Sequence, residues 1–525
     1  MRTKRWNAML SLVLVGILIL LAGCQPVGNV DVGKAMAGSL AVKSSEGKQT
    51  VTLELTPDPA VTMSPEGKRA FDLFSKVKID ITEMKMQDQL HMSLKGAFEY
   101  QKGRVPFELV MSDMNYTLKI EGAKKPIVIR NSATAMNGSA AELPKEVQEQ
   151  LQQLSKKAVE AMPSLTSFFT RNFPNPGKIT AAEVNETVNG EALTLQKVHA
   201  EVYGNELLGL VKGFLTNVLA DDQGLKDFIG VLYDLYVPIL KEVTKEAGKS
   251  DVNSMNDPLT PYLNNKALAV EFIHTFVKTH LEQMLKDFDA SVDAMGPEAK
   301  AWLNDNQSLK MDLYVDKDYV TRKSNTEIGF TLPQGKGDGL KSVKITSAYE
   351  VWNVNKPVQA ATIDTAGGVI EMNGADGRMT ASKFVASLDP NSQLYKLLKD
   401  DLGVTKKNIS MFAGEDKELS YGTLPYNDNG TIMVPARFVV EELDADVKWD
   451  EATKQVKVTD PLSGAVLVLT IGSDEATING KTVKLEKPAV LVDGVTYVPV
   501  RVVSEGLGAK VGWEQETQTV KITRD

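Results

Sequence analysis

The sequence predicts an α+β protein: a central antiparallel sheet with a helical insertion, then a small strand-rich α+β module with pseudo-duplicated halves. Three observations carry this. Residues 48–131 and 309–351 alternate apolar and polar side chains, residues 143–292 hold four stretches at helical spacing, and residues 430–460 recur at 494–524. Strands, then helices, then strands argue for one antiparallel α+β domain, and a repeat of only two copies argues for one further domain with paired halves. With 525 residues the chain has length enough for both cores.

The chain opens with Arg2, Lys4 and Arg5, an apolar run of roughly 14 residues from Met9, and Leu21-Ala22-Gly23-Cys24. A basic start, a run short of the roughly 20 residues of a membrane span, and small residues at its end make a secretory signal. Cys24 is the single cysteine of the chain. This arrangement resembles the bacterial lipoprotein signal, which implies that residues 1–23 are removed and that lipidation falls on the Cys24 thiol. No thiol then remains for a disulfide, a metal or a nucleophile. The expected location is the extracellular face of the cell membrane, with the membrane contacted through the lipid. Residues 24–37 lack periodicity and read as a tether.

Residues 38–377 read as the α+β domain. Thr50–Leu55, Lys76–Ile81, His91–Phe98 and Tyr116–Ile120 alternate as strands with one wet face do. The period changes near Leu143, and the helical insertion spans about 143–304. Its helical stretches are Pro144 to Phe169 with a kink expected at Pro163, Glu206 to Ala220, Leu225 to Glu246 and Lys266 to Val292, interrupted by a strand over Leu193–Tyr203. Period two returns in Met311–Val320, Glu327–Thr331 and Ser342–Val351. The Gly-rich loop Gln334–Gly339 lacks a Gly-Lys-Ser/Thr and a following helix, so it reads as a hairpin loop. Residues 378–418, with short helices at Ser382–Leu388 and Ser392–Leu402, read as a helical connector.

Gly430–Asp460 and Gly494–Arg524 align without gaps at an offset of 64, with 14 of 31 positions identical. Asn429-Gly430 and Asp493-Gly494 are hairpin turns, each launching a strand that ends at Val-Pro. A short helix follows, Phe438–Leu443 or Val502–Leu507. It stops at Gly508 in the left-handed conformation, with Asp444 holding the same place in the first copy. Strands through Trp449 or Trp513 then turn back into Val456–Val458 or Val520–Ile522.

Two resemblances follow. Val498-Pro499-Val500-Arg501 with Gly506-Leu507-Gly508-Ala509-Lys510-Val511-Gly512-Trp513 is similar to the N-terminal stalk domain of copper amine oxidases, over residues 419–525. That module is common on surface proteins of spore-forming Gram-positive bacteria. In the oxidases the stalk binds no copper, so the resemblance implies no oxidase activity. A lipid-anchored sheet with helices laid over one side, and the turn Tyr314-Val315-Asp316-Lys317-Asp318-Tyr319, resemble the LolA-like lipoproteins, whose members hold acyl chains between sheet and helices. No functional residue transfers from either family.

Side-chain chemistry points away from an enzyme. The four histidines are His91, His199, His274 and His280, and the last two, six apart, fall on different faces of a helix. Serine-hydrolase, zincin and EF-hand motifs are missing from the sequence. No catalytic, cofactor or metal residue is therefore assigned. Trp449 and Trp513 are expected in the module core, with a sugar-stacking platform as the alternative, and Arg437 and Arg501 are expected to pair with nearby carboxylates or carbonyls. The formal net charge of −9 falls near −12 once Arg2, Lys4 and Arg5 leave with the signal. Such an acidic chain argues against nucleic acid as a partner.

Two functions lead, with a paired-carboxylate hydrolase as the third and weakest, since Asp and Glu are plentiful but nothing in the sequence places two of them together. The first is a non-enzymatic, lipid-anchored surface protein whose stalk-like module contacts the cell wall or another protein. The alternative is a carrier or sensor of an apolar ligand between the sheet and the helices of 204–292. It is motivated by Leu207, Leu208, Leu210, Val211, Phe214, Leu215, Val218 and Leu219, which cover more than one helical face.

Overall fold

The computed structural model describes residues 26–28, 30–113, 115–130, 145–246, 260–333, 335, 337–372, 379–413 and 424–525. Cys24 and the signal lie outside them. The chain divides into two compact units, residues 1–118 with 130–363, and residues 119–129 with 364–525.

The first unit holds ten strands of one sheet, together with helices. Its strands are β1 (Ser45–Pro57), β2 (Lys76–Met86), β3 (His91–Tyr100), β4 (Gly103–Ser112), β5 (Asn115–Ile120), β6 (Lys178–Val188), β7 (Glu191–Tyr203), β8 (Ser308–Val315), β9 (Thr321–Thr331) and β10 (Leu340–Trp352). They lie in the order β5-β4-β3-β2-β1-β10-β9-β8-β7-β6. Two meanders therefore meet where β1 pairs antiparallel with β10, from Glu46 opposite Trp352 to Pro57 opposite Leu340. The helices are α1 (Val32–Leu40), α2 (Pro65–Phe74), α3 (Lys145–Asn172), α4 (Leu207–Ala220), α5 (Asp222–Glu246) and α6 (Lys266–Asp293). Among the described residues no helix is long and apolar enough to cross a membrane.

Period two in β7 decides which face the helices cover. Val198 and Val202 point to one side, where Val202 joins Phe173, Leu210 and Leu309, with Leu207 and Phe214 against them. Val198 joins Val30 and Val32 on that side. On the other side His199 meets Asp312 at 2.7 Å, and Tyr203 donates to Glu201 at 2.6 Å. A second layer of contacts ties the helices together, with Phe168, Val218, Leu225 and Ile229 buried between them. Each such side chain contributes about 1.5–3 kcal/mol by leaving water.

Several boundaries differ from expectation. The stretch read as a tether becomes helical at Val32, because Asp31 caps Lys34 N at 2.9 Å and Val32 and Ala35 bury one face. Strand β6 went unread although Asn189-Gly190 is a hairpin signal; both residues have positive φ, 48° and 82°, as a type I′ turn needs. The Gly-rich loop does join β9 to β10 as a hairpin, and Leu332 N donates to Lys341 O. Helix α3 contains Pro163 within its length, as expected.

The second unit begins with Ile127–Ile129 pairing parallel to Ile370–Glu371 and the helix α7 (Ala381–Ala386). The expected helix at 392–402 is one α-turn, Gln393–Tyr395, followed by a π-helical turn, Lys396–Asp401. Next come β11 (Lys407–Phe412), β12 (Tyr426–Asp428), β13 (Thr431–Pro435), α8 (Ala436–Glu442), β14 (Asp446–Asp450), β15 (Gln455–Thr459), β16 (Val466–Thr470), β17 (Glu475–Ile478) and β18 (Lys481–Lys484). The unit ends with β19 (Val490–Val492), β20 (Val495–Pro499), α9 (Val500–Gly506), β21 (Lys510–Glu514) and β22 (Thr519–Arg524). Three sheets result, ordered β11-β22-β21, β12-β13-β20-β19 and β14-β15-β16-β17-β18.

The duplicated halves are related by a pseudo-two-fold axis. Val434 pairs with its own counterpart Val498, flanked by Met433 opposite Pro499 and Pro435 opposite Tyr497. Residue i meets the equivalent of residue j and the reverse, as in an isologous dimer. Asn429-Gly430 and Asp493-Gly494 adopt positive φ throughout, and Asp444 and Gly508 close the helices at 59° and 76°. The residues read as a connector are part of this unit. Strand β11 pairs with β22 over six residues, in the place beside β22 that β16 takes beside β15.

Candidate functional site

Sheet edges decide where this second unit is open. Trp449 sits directly opposite Val456, and Trp513 opposite Val520, so each ring is on the face of its sheet that looks toward the core. Both tryptophans nevertheless lie on edge strands, β14 and β21, near the strand ends. The expectation that they fill the core is corrected: Trp449 is 40 % exposed and Trp513 38 %.

Beside Trp449 the surface sinks into a groove of about 600 Å³. Its walls come from α8, the β14–β15 hairpin and the β19–β20 hairpin of the other half. Phe438 and Leu491, 47 % and 53 % exposed, add apolar surface to the indole. Arg437, Glu441, Glu451 and Lys454 add charge. Arg437 lies 3.8 Å from Glu441 and Lys454 3.9 Å from Glu451, both pairs well exposed, so neither is tightly held. The arginines thus have carboxylate neighbours as expected, Arg501 being 3.7 Å from Glu486.

The turn under the groove is firmly built. Asp450 Oδ1 accepts from Ala452 N at 2.9 Å and from Thr453 N at 3.2 Å. The Thr453 backbone bond, with the Thr453 side chain, draws the Asp450 pKa below the ordinary carboxylate value. Lys454 then takes positive φ, 54°, which turns the chain into β15. Beneath the sheets, Arg524 and Asp460, counterparts across the pseudo-axis, meet at 3.3 Å and are 7 % and 2 % exposed. Arg524 also donates to Leu443 O at 2.6 Å and to Ser382 Oγ at 3.2 Å. These are structural contacts that pin α7 to the module.

The first unit has two open hollows among its helices, about 410 Å³ beside Phe168 and Phe228 and about 610 Å³ beside Lys226 and Val270, both with polar and apolar walls. An apolar crevice between Val202, Leu207, Trp302, Leu303, Leu309 and Phe330 holds about 40 Å³, against several hundred for a drug-sized ligand. The helix expected to line a ligand space is instead largely packed. Leu210 and Val218 are buried, and Phe214 stands 5.6 Å from Phe173, though Val211 remains exposed.

The histidines serve local contacts. His91 Nδ1 lies 2.8 Å from Asp88, which raises its pKa. His199 bridges Asp312 and Glu201, His274 is buried 3.2 Å from Asp222, and His280 Nδ1 meets Phe276 O. Among the described residues no group of three or more His, Cys, Asp or Glu could hold a metal ion.

Comparison with known proteins places the groove within a recognised module. Residues 414–522 match the copper amine oxidase N-terminal domain. The match covers both halves, both tryptophans and every groove residue. No curated protein matches the chain. Among solved structures the chain is similar to the crystal structure of the Mycobacterium tuberculosis lipoprotein LppX, at 9 % identity, covering 63 % of this chain and 98 % of that one. The TM-score is 0.20, at which no shared fold follows.

Proposed function

We propose that this is a non-enzymatic lipoprotein, anchored through Cys24 at the outer face of the cell membrane, whose stalk-like module holds the cell wall or a surface protein. The observation that carries this reading is the groove at Trp449. Three large apolar side chains stand exposed together in a concave site rimmed by charge, and exposed apolar surface in a cleft marks a binding site. The segment that holds the groove matches the copper amine oxidase N-terminal domain. The test is co-sedimentation of the full chain with purified cell wall, beside crosslinking on intact cells. Recovery in neither the wall pellet nor a crosslinked adduct would overturn the reading.

A second reading, a carrier of an apolar ligand, is favoured by the mostly apolar surface of the crevice at Leu207, Trp302 and Phe330, beside which Gln307 and Ser308 also line it. At about 40 Å³ it admits no acyl chain as it stands, so this function requires the helices to lift from the sheet. Native mass spectrometry of the purified protein, followed by organic extraction, decides it: a stoichiometric lipid supports the carrier and a bare mass removes it.

A further inference from the structure

The duplication supplies its own control for the groove. At Pro435/Pro499, Arg437/Arg501, Glu441/Glu505, Trp449/Trp513 and Val456/Val520 the halves carry the same residues. They part at Phe438/Val502, Leu491/Asn427, Glu451/Gln515 and Lys454/Gln518. The same backbone thus folds around Val502 and Asn427 at the site beside Trp513 and around Phe438 and Leu491 at the site beside Trp449. Phe438 and Leu491 are about half exposed, so folding gains little from their size. Their presence answers to something outside the chain.

The lining selects the occupant. Arg437 and Lys454 against Glu441 and Glu451 leave the groove with no net charge, and the whole chain is acidic at −9. A polyanion therefore gains nothing here. A stable protein interface needs roughly 800 Å² per partner, more than three apolar side chains supply. A volume of about 600 Å³ instead suits a compact segment of a few rings. Sugar rings present an apolar C–H face and a rim of hydroxyls. Trp449, Phe438 and Leu491 match the face, and the loosely paired Arg437, Glu441, Glu451 and Lys454 offer donors and acceptors to the rim.

We infer that the Trp449 groove binds a segment of uncharged polysaccharide, one sugar face stacked on the indole, and that the equivalent site beside Trp513 lacks this activity. The inference rests on the wall-contact reading above and names the chemistry of that contact.

The experiment measures binding of the full chain to cell wall stripped of protein and anionic polymer, and to a soluble N-acetylglucosamine tetramer by calorimetry. Phe438→Val with Leu491→Asn installs the residues of the Trp513 site, which this backbone already accommodates. Trp449→Ala removes the stacking surface, and Trp513→Ala is the control. An unchanged unfolding midpoint confirms that each variant is folded.

The expected result is binding of both probes, weakened at least tenfold by Trp449→Ala and by the double variant, and changed less than twofold by Trp513→Ala. Binding to stripped wall that ignores both groove variants overturns the polysaccharide groove and leaves the wall reading standing. Failure of the wild-type chain to bind stripped wall, with groove-dependent crosslinking to a surface protein, overturns the inference in favour of a protein occupant. Failure to bind any wall preparation or protein overturns both.

Discussion

Asp460→Ala tests the buried ion pair between the duplicated halves. Asp460 is 2 % exposed and takes Arg524 at 3.3 Å, Ser463 N at 3.1 Å and Ser463 Oγ at 2.5 Å. Removing it leaves a guanidinium that is 7 % exposed, with Leu443 O and Ser382 Oγ as neutral acceptors. An uncompensated buried charge costs roughly 3–5 kcal/mol. Arg524 Nε already lacks an acceptor, so the site has none to spare. Those two neutral bonds survive, which places the expected loss near the lower end, about 3 kcal/mol. Replacing both partners, Asp460→Leu with Arg524→Met, removes the orphaned charge, so the double variant is expected to be more stable than Asp460→Ala alone. The assay is urea unfolding followed by tryptophan fluorescence, with Trp449 and Trp513 as reporters in the affected unit. A loss under about 1 kcal/mol for Asp460→Ala, or a double variant no more stable than the single one, would refute the reasoning.

Three further predictions concern other parts of the chain. A fragment of residues 379–525 is expected to withstand more urea than one of 419–525. The shorter piece loses β11, leaves β22 with an open edge, and strips Ser382 from Arg524. The His91 imidazole is expected to titrate above 6.5 by NMR because Asp88 holds its charged form, and Asp88→Asn returns it toward 6.5. That contact stabilises the fold below about pH 6.5 and its contribution fades as pH rises through the raised value. Glu201 is drawn down to about 2, chiefly by the Tyr203 hydroxyl, so its contribution is present above about pH 4.5 and lost as pH falls toward 2. Tyr203→Phe is expected to raise the Glu201 value by carbon-detected NMR; an unmoved titration removes that cause.

Elements with strong periodicity were legible in the sequence. The period-two runs at 50–55, 76–81 and 342–351 and the helical runs at 206–220 and 266–292 fall within elements of those types, Glu206 alone lying in a 3-10 turn just before α4. Legibility ended where a segment is stabilised by a distant neighbour. Helix α1 has nine residues and is held by packing of Val32 and Ala35, a signal too short to read as a period. Strand β11 does alternate, with Ile409 and Met411 buried, and only the expectation of a linker hid it. For the groove, the residue types were visible at Trp449 and Arg437. Their exposure was not, because facing the core and being covered by it are different properties, and only sheet order separates them.

That distinction also explains how one module can keep its fold while changing what it binds. Positions on the pseudo-axis are constrained twice, since Val434 packs against Val498 and Asp460 against Arg524. A change at either alters the contact between the halves. Edge-strand and turn positions carry no such coupling. Phe438, Glu451, Lys454 and Leu491 lie on exposed helix, turn and edge-strand surface, where their counterparts Val502, Gln515, Gln518 and Asn427 differ in size or charge on the same backbone. Divergence after duplication is therefore cheapest at the groove, and of the two equivalent sites the one that carries aromatic and aliphatic bulk is the one to test for a ligand.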